Sequence, residues 1–253
     1  MKAIFITGAG RGIGLAIAQK FAETGWLVGL YDINEDVCKE HLKNPPFHNA
    51  VAGFCDVTDS SSVASALTAF TEASRGQLHV VVNNAGVLSA GDFSEMSAAN
   101  INAMIAVNIG GLTTVSHLAF PYLRDTPDAV LLNLCSASSI HGIPWLGVYS
   151  ASKFYVDGLT QALAIEWRDH DIHVTSLKPP PINTAMGHQL DSRHTEKMSI
   201  SMQAEQVADA AFSAVIERRP HRILGRSTLA WYTINGLLPA SLRSRLTRYI
   251  TGA

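Results

Sequence analysis

Tyr149 and Lys153 stand four residues apart in the run Tyr149-Ser150-Ala151-Ser152-Lys153. On a helix that spacing sets a phenol and an ammonium on one face. Surface helices produce such pairs constantly, so the pair alone carries little. Thirteen residues upstream, Ser136 directly follows the apolar run of residues 129–135. A hydroxyl at that point lies at the carboxyl edge of a sheet, where open α/β sheets bind ligands. A deprotonatable phenol, a cationic amine one helical turn away and a hydroxyl from the sheet edge are thus set to converge on one bound molecule.

A second constellation opens the chain. The first apolar run leads into Thr7-Gly8-Ala9-Gly10-Arg11-Gly12-Ile13-Gly14 and then into a helix pattern. Strand, glycine-rich turn and helix together aim backbone N–H groups and the positive helix end at a pyrophosphate. Glycine is required where a Cβ would block close approach of phosphate to the main chain. Asp32 ends the second apolar run, 18 residues beyond Gly14. A carboxylate there accepts hydrogen bonds from an adenosine ribose and repels a 2′-phosphate, which favours NAD over NADP. Arg11 argues the other way, since a guanidinium beside the turn grips a 2′-phosphate. Asp32 is otherwise a simple turn residue.

These residues need a scaffold. Short apolar runs at residues 3–6, 26–31, 51–55, 79–82, 129–135, 172–177 and 221–224 alternate with helical stretches at 13–23, 60–74, 99–123, 148–168 and 204–218. Near-continuous apolar runs suit strands covered on both faces. Asp59 and Ser60 are N-cap candidates for the second helix. The alternation predicts one doubly wound α/β domain with a parallel sheet of about seven strands and helices on both faces.

Composition narrows the class. The 253 residues are 47% hydrophobic and 16% charged, with a formal net charge of −2. That excludes disorder, and the near-neutral balance argues against a nucleic-acid binder. Three cysteines, Cys38, Cys55 and Cys135, are too few for a disulfide framework or a Cys-type zinc site, so a reducing, cytoplasmic setting is expected. The histidines show no metal-ligand spacing, and no catalytic metal is expected. The opening MKAIFIT leaves no room for a secretory signal, and no run of 18 apolar residues predicts a membrane span.

The chain resembles the short-chain dehydrogenase/reductase family over nearly its whole length. The resemblance rests on the glycine turn, on Asn83-Asn84-Ala85-Gly86, on Asn108, on Ser136 and on Tyr149 with Lys153, in order and spacing. It implies a Rossmann-type domain over residues 1–226, binding NAD(H) by preference and NADP(H) as the alternative. The implied activity transfers a hydride between nicotinamide and an alcohol or ketone. Tyr149 would be the general acid/base, aided by Lys153 because a phenol near pKa ~10 needs a positive neighbour. Lys153 would also hold the nicotinamide ribose, Ser136 the substrate oxygen, and Asn108 a proton-relaying water. The resemblance places Gly8, Gly10, Arg11, Gly12, Ile13, Gly14 and Asp32 at the coenzyme. Asp56 and Val57 would frame the adenine, and Asn83, Ala85 and Gly86 would shape the pocket. Ile182 and Thr184 would meet the carboxamide. A homo-oligomer built on the helices holding Asn108 and Tyr149 is also expected.

One stretch departs from the family pattern. Pro180 in Pro179-Pro180-Pro181 replaces an expected glycine, which fixes φ and removes an N–H, and leaves room for a cis peptide. Residues 185–202 fall where a lid would lie, with Met186, Met198 and Met202 joining Ile140, Trp145 and Leu146 as an apolar wall for substrate or as simple core cover. His141 reads as a solvated loop residue.

The carboxyl-terminal residues 218–253 hold seven arginines and no acid, leaving 12 basic side chains against 21 acidic ones elsewhere. Leu238, Leu242, Leu246 and Ile250 recur every four residues among Arg243, Arg245 and Arg248. An amphipathic basic tail over residues 227–253 is expected to dock on its own body or a partner subunit, with an anionic membrane as the alternative.

Overall fold

The computed structural model describes residues 1–189 and 202–252. Seven strands, β1 (Ala3–Thr7), β2 (Leu27–Asp32), β3 (Ala50–Phe54), β4 (Val80–Asn83), β5 (Val130–Leu134), β6 (His173–Lys178) and β7 (Arg222–Ile223), form one parallel sheet in the order β3-β2-β1-β4-β5-β6-β7. The helices are α1 (Gly12–Glu23), α2 (Glu35–His41), α3 (Ser60–Ala73), α4 (Ala98–Ile105), α5 (Leu112–Arg124), α6 (Gly147–Glu166), α7 (Ala204–Ile216), α8 (Arg226–Leu237) and α9 (Ala240–Thr251).

Because side chains alternate across a strand, each buried strand feeds two cores. On one face Ile4, Ile6, Val28, Leu30, Val80 and Val82 pack with Ile17 and Phe21 of α1 and Val207 and Ala211 of α7. On the other, Phe5, Tyr31, Val81 and Leu131 pack with Val63 and Phe70 of α3 and Val115 and Ala119 of α5. Full burial on both faces explains why these segments read as unbroken apolar runs.

The strand order reverses between β1 and β4, and this positions the site. The carboxyl ends of these neighbours carry the glycine turn and Asn83–Gly86, which therefore stand side by side at a topological switch point. Asp59 caps α3, its carboxylate accepting from the Ser61 amide at 2.8 Å.

The run Ala98–Arg124 comprises α4, a π-helical turn (Ala106–Gly111) and α5. By length and composition it is apolar enough to cross a membrane, a property a search for unbroken apolar runs overlooks. It lies on the sheet, with Met104, Val115, Ala119 and Leu123 fully buried.

Among the described residues the cis peptide is Pro45-Pro46, and the bonds within Pro179–Pro181 are trans. In the tail, Leu242, Leu246 and Ile250 lie on α9, and Pro239, which lacks the N–H that a continuing helix needs, parts it from α8.

Candidate active site

The glycine turn is held from behind by a residue that spacing alone did not single out. Asn84 donates through Nδ2 to the carbonyl oxygens of Thr7 and Gly8, at 3.0 and 2.8 Å. Thr7 Oγ1 accepts from the amides of Asn84 and Ala85 at 3.2 and 3.1 Å. Gly14 packs so tightly here that an added Cβ would lie 2.3 Å from the Gly8 oxygen and 2.5 Å from Asn84 Nδ2. Gly8 has φ +64°, and its Cβ would meet Ala85 Cα at 2.8 Å. Ala85 therefore serves the turn by close packing.

The turn fits a pyrophosphate. Helix α1 begins after Arg11 with no side-chain cap and no acid in its first turn. Among the described residues, no acceptor takes the amide hydrogens of Gly12, Ile13 or Gly14. Arg11 itself is exposed.

Asp32 sits beside this turn. Its Oδ2 accepts from the Gly10 amide and its Oδ1 from the Asn34 amide, both at 3.0 Å. On the other side of the Gly10 peptide, His41 Nε2 lies 2.9 Å from the carbonyl oxygen. Asp56, after β3, accepts from the Thr58 amide at 2.9 Å and hydroxyl at 2.7 Å, shaping the next loop. Val57 is buried, and a Cβ on Gly111 would meet its Cγ2 at 2.5 Å.

Asn83 turns away from Asn84, into the protein. Its Nδ2 donates to Ser116 Oγ and Asn133 Oδ1, each at 2.9 Å, and Asn133 in turn donates to Thr160 Oγ1. This chain ties α5, β4, β5 and α6 together behind the site. Gly86 leaves room for Asn108, whose Oδ1 would stand 3.3 Å from a Cβ placed there. Asn108, in the π-helical turn, accepts from the Val87 amide at 2.8 Å and donates to its carbonyl at 2.9 Å. It also donates to Ser152 Oγ at 3.2 Å, and Ser152 donates to the Tyr149 carbonyl at 2.6 Å. The π turn, a feature frequent at functional sites, thus couples α5 to the first turn of α6.

The three side chains expected to converge do so. Ser136 follows β5 in extended conformation, with its hydroxyl near enough to the Tyr149 phenol to lower its pKa. Its Oγ accepts from the Ser138 amide at 3.1 Å, which fixes the hydroxyl. Lys153 Nζ lies 5.6 Å from the centre of the Tyr149 ring and donates to the Leu134 carbonyl at 2.9 Å. Burial pushes the phenol up to about 12, against a lowering by the neighbouring Ser136 hydroxyl and a further rise from Cys135. Burial pulls the Lys153 ammonium below its ordinary range. The phenol is therefore protonated at neutral pH, and a positive charge bound next to it would draw it down.

The loop after β6 closes over the glycine turn. Ile182 is buried and bridges to Met202, and the Asn183 amide donates to the Met202 carbonyl at 2.9 Å. Thr184 comes within 3.5 Å of a Cβ placed on Gly12, and its Oγ1 accepts from the Gly187 amide at 3.2 Å. Pro180 packs 3.6 Å from a Cβ placed on Gly225. Ile140, His141 and Trp145 are half-buried after Ser136, whereas Leu146 is buried and Met202 packs on the core. Trp145 holds φ +62°, a left-handed conformation that a bulky residue adopts at a cost. Met198, with most of the expected lid, lies outside the described residues.

Known proteins resemble this chain in sequence and fold. The family model described as short chain dehydrogenase matches residues 2–195. An uncharacterized oxidoreductase of Thermotoga maritima is 34% identical over 178 residues, which are 70% of each chain. Meso-2,3-butanediol dehydrogenase of Serratia marcescens is 29% identical over 85% of this chain and 86% of its own. The crystal structure of a short chain dehydrogenase/reductase from Burkholderia phymatum in complex with NAD superposes with a TM-score of 0.83 at 26% identity, covering 92% of each chain. The chain belongs to the short-chain dehydrogenase/reductase family, oxidoreductases that act on alcohols and ketones with a nicotinamide cofactor.

Proposed function

We propose that this protein is an NAD(H)-dependent oxidoreductase of apolar secondary alcohols and ketones, with Tyr149 as its general acid/base. The observation that carries the reading is the Lys153 ammonium 5.6 Å from the centre of the Tyr149 ring, with the Ser136 hydroxyl near the phenol. Bound nicotinamide supplies the hydride donor or acceptor, and the proton steps fall to the chain.

In reduction the Tyr149 hydroxyl donates its proton to the substrate oxygen as the alcohol forms. Ser136 donates a hydrogen bond to that oxygen and stabilises the charge developing on it. Lys153 offsets the negative charge left on the phenolate, and its ammonium would also hold the nicotinamide ribose. Asn108, fixed by Val87 and Ser152, anchors a water that relays protons from Lys153 to solvent. Oxidation runs the same path backwards.

The first-turn amides of α1 would hold the pyrophosphate, and Asp56, Val57 and Gly86 the adenine and the pocket floor. Ile182 and Thr184 would meet the carboxamide. Asp32 supports NAD, because its carboxylate borders Gly10 where an adenosine ribose would lie and opposes a 2′-phosphate. Exposed Arg11 supports NADPH as the second reading. Half-buried Ile140 and Trp145 support an apolar substrate.

Exposed Ile105 on α4 and Phe154 and Tyr155 on α6 support a homodimer through these helices, which light scattering would read directly. The free, buried cysteines support a reducing compartment such as the cytoplasm.

The test pairs fluorescence titrations with NADH and NADPH with a ketone and alcohol screen followed at the NADH absorbance. NADH is expected to bind tighter, and Tyr149→Phe to lower turnover by about 10²–10⁴-fold. Full turnover in that variant would overturn the mechanism.

A further inference from the structure

We infer that α8 and α9 form a docking surface for a bilayer containing anionic lipids. Both helices bury small polar residues and leave large apolar side chains exposed. Facing the body, α8 buries Thr228 and Asn235, and α9 buries Thr247 and Thr251. Exposed are Leu229, Ile234 and Leu237 of α8 and Leu242 and Tyr249 of α9, whereas Tyr232 is turned partly toward Lys178 and Leu246 and Ile250 of α9 are half-buried. Leu237 is 81% exposed and Leu229 51%. A surface helix of a soluble protein does the reverse, turning its apolar stripe to the core.

These side chains are not scattered singly. Leu229 and Leu237 share one face of α8 at a spacing of eight. Leu242, Arg245 and Tyr249 follow one face of α9, at spacings of three and seven. Exposed leucines on α8 and a leucine, an arginine and a tyrosine on one face of α9 mark an apolar and basic contact surface.

Charge selects the occupant. Residues 218–253 hold seven arginines and no acid. Three of these are engaged nearer the body: Arg218 pairs with Asp128 and Asp171, Arg219 pairs with Glu217, and Arg222 acts electrostatically on Glu217. Arg226, Arg243 and Arg245 make no ion pair among the described residues, and Arg243 Nε donates to the Leu238 carbonyl. A second copy docked face to face about a two-fold axis would set arginine against arginine. An anionic bilayer instead takes the leucines and tyrosines into its boundary layer and the guanidinium groups at its headgroups.

The surface is also wired to the catalytic edge. Asn235 Nδ2 donates to the Ile140 carbonyl at 2.9 Å, four residues beyond Ser136. Lys178 Nζ, paired with Asp157 at 2.8 Å, lies 5.6 Å from the centre of the Tyr232 ring. If the site works as proposed above, docking places its substrate loop beside the bilayer, where apolar ketones and alcohols dissolve.

Vesicle flotation of the full-length protein tests the surface without depending on turnover. Vesicles of phosphatidylcholine alone are compared with vesicles carrying about one-third phosphatidylglycerol, at low and high salt. The expected result is flotation with the anionic vesicles only, weakened by salt. Leu229→Ser/Leu237→Ser and Arg243→Gln/Arg245→Gln should each lower the bound fraction about tenfold at limiting lipid, with thermal unfolding and NADH titration as folding controls. Absence of flotation by the wild-type chain overturns the inference, as does binding by both double variants that equals that of the wild type. So does an assembly seen by light scattering that the leucine variant dissociates without any vesicle binding, which would assign the surface to a second copy.

Discussion

Asn84 and Gly8 are joined by a 2.8 Å hydrogen bond in which the asparagine amide donates to the glycine carbonyl. The same nitrogen reaches the Thr7 carbonyl, so one side chain from β4's end fixes the curvature of the turn after β1. Gly14 closes the arrangement from the helix side, with no room for a methyl group. The amides at the start of α1 are thus aimed before any ligand arrives. Asn84→Ala should loosen this geometry and weaken NADH binding about tenfold, at a stability cost of about 1 kcal/mol for the two exchanged hydrogen bonds. Fluorescence titration alongside urea unfolding reads both quantities. Unchanged NADH affinity would show that Asn84 does not shape the turn.

The adjacent asparagine should behave in the opposite way. Asn83→Ala removes a donor shared between Ser116 and Asn133 and strands polar groups in the interior. A loss of about 1–3 kcal/mol in unfolding free energy is expected, with NADH affinity in the surviving folded protein little changed. Urea denaturation separates the two neighbours. A variant as stable as the wild type would mean the buried network contributes nothing.

Asp32 sets the third expectation. Its carboxylate accepts from two backbone amides, which hold it at the place where a 2′-phosphate would come. Asp32→Asn keeps an acceptor for one of those amides and removes the charge. The NADH-to-NADPH affinity ratio should fall about tenfold or more, equivalent to ~1.4 kcal/mol. A ratio that stays put would shift cofactor choice onto other groups, Arg11 first among them.

The sheet and its turns were legible because they rest on patterns that survive projection onto a string. Doubly buried strands leave apolar runs, and the runs at residues 3–6 and 79–82 correspond to Ala3–Thr7 and Val80–Asn83. Other features leave no period. Helix α2 buries only Cys38 along Glu35–His41, so its sequence reads as polar loop. The π turn inside residues 99–123 keeps the overall apolar content while rotating Asn108 toward Val87. Asn83 and Asn84 are indistinguishable as letters, and the strand's alternation decides which faces the turn. Helix α8 was hidden because its apolar residues face outward, against the rule by which helices are recognised.

The protonation of Tyr149 gives the last and sharpest expectation. In the free protein burial raises the phenol from an unfolded value of about 10 to about 12, so folding favours the neutral form. A group whose folded value is raised contributes its stability below the unfolded value and loses it as pH rises through the folded one. The window of loss here runs from about pH 10 to about pH 12. Wild type should therefore lose stability more steeply across that window than Tyr149→Phe, in unfolding curves recorded at each pH. The phenolate absorbance difference between the two proteins should likewise emerge only toward pH 12. Bringing the positive nicotinamide ring of NAD⁺ next to the phenol must favour the phenolate, so saturating NAD⁺ should move that difference to lower pH, whereas NADH, which lacks the ring charge, should move it far less. The same displacement by both forms of the coenzyme, or by neither, would mean that the ring charge does not act on Tyr149 and that the phenol is no acid/base in turnover.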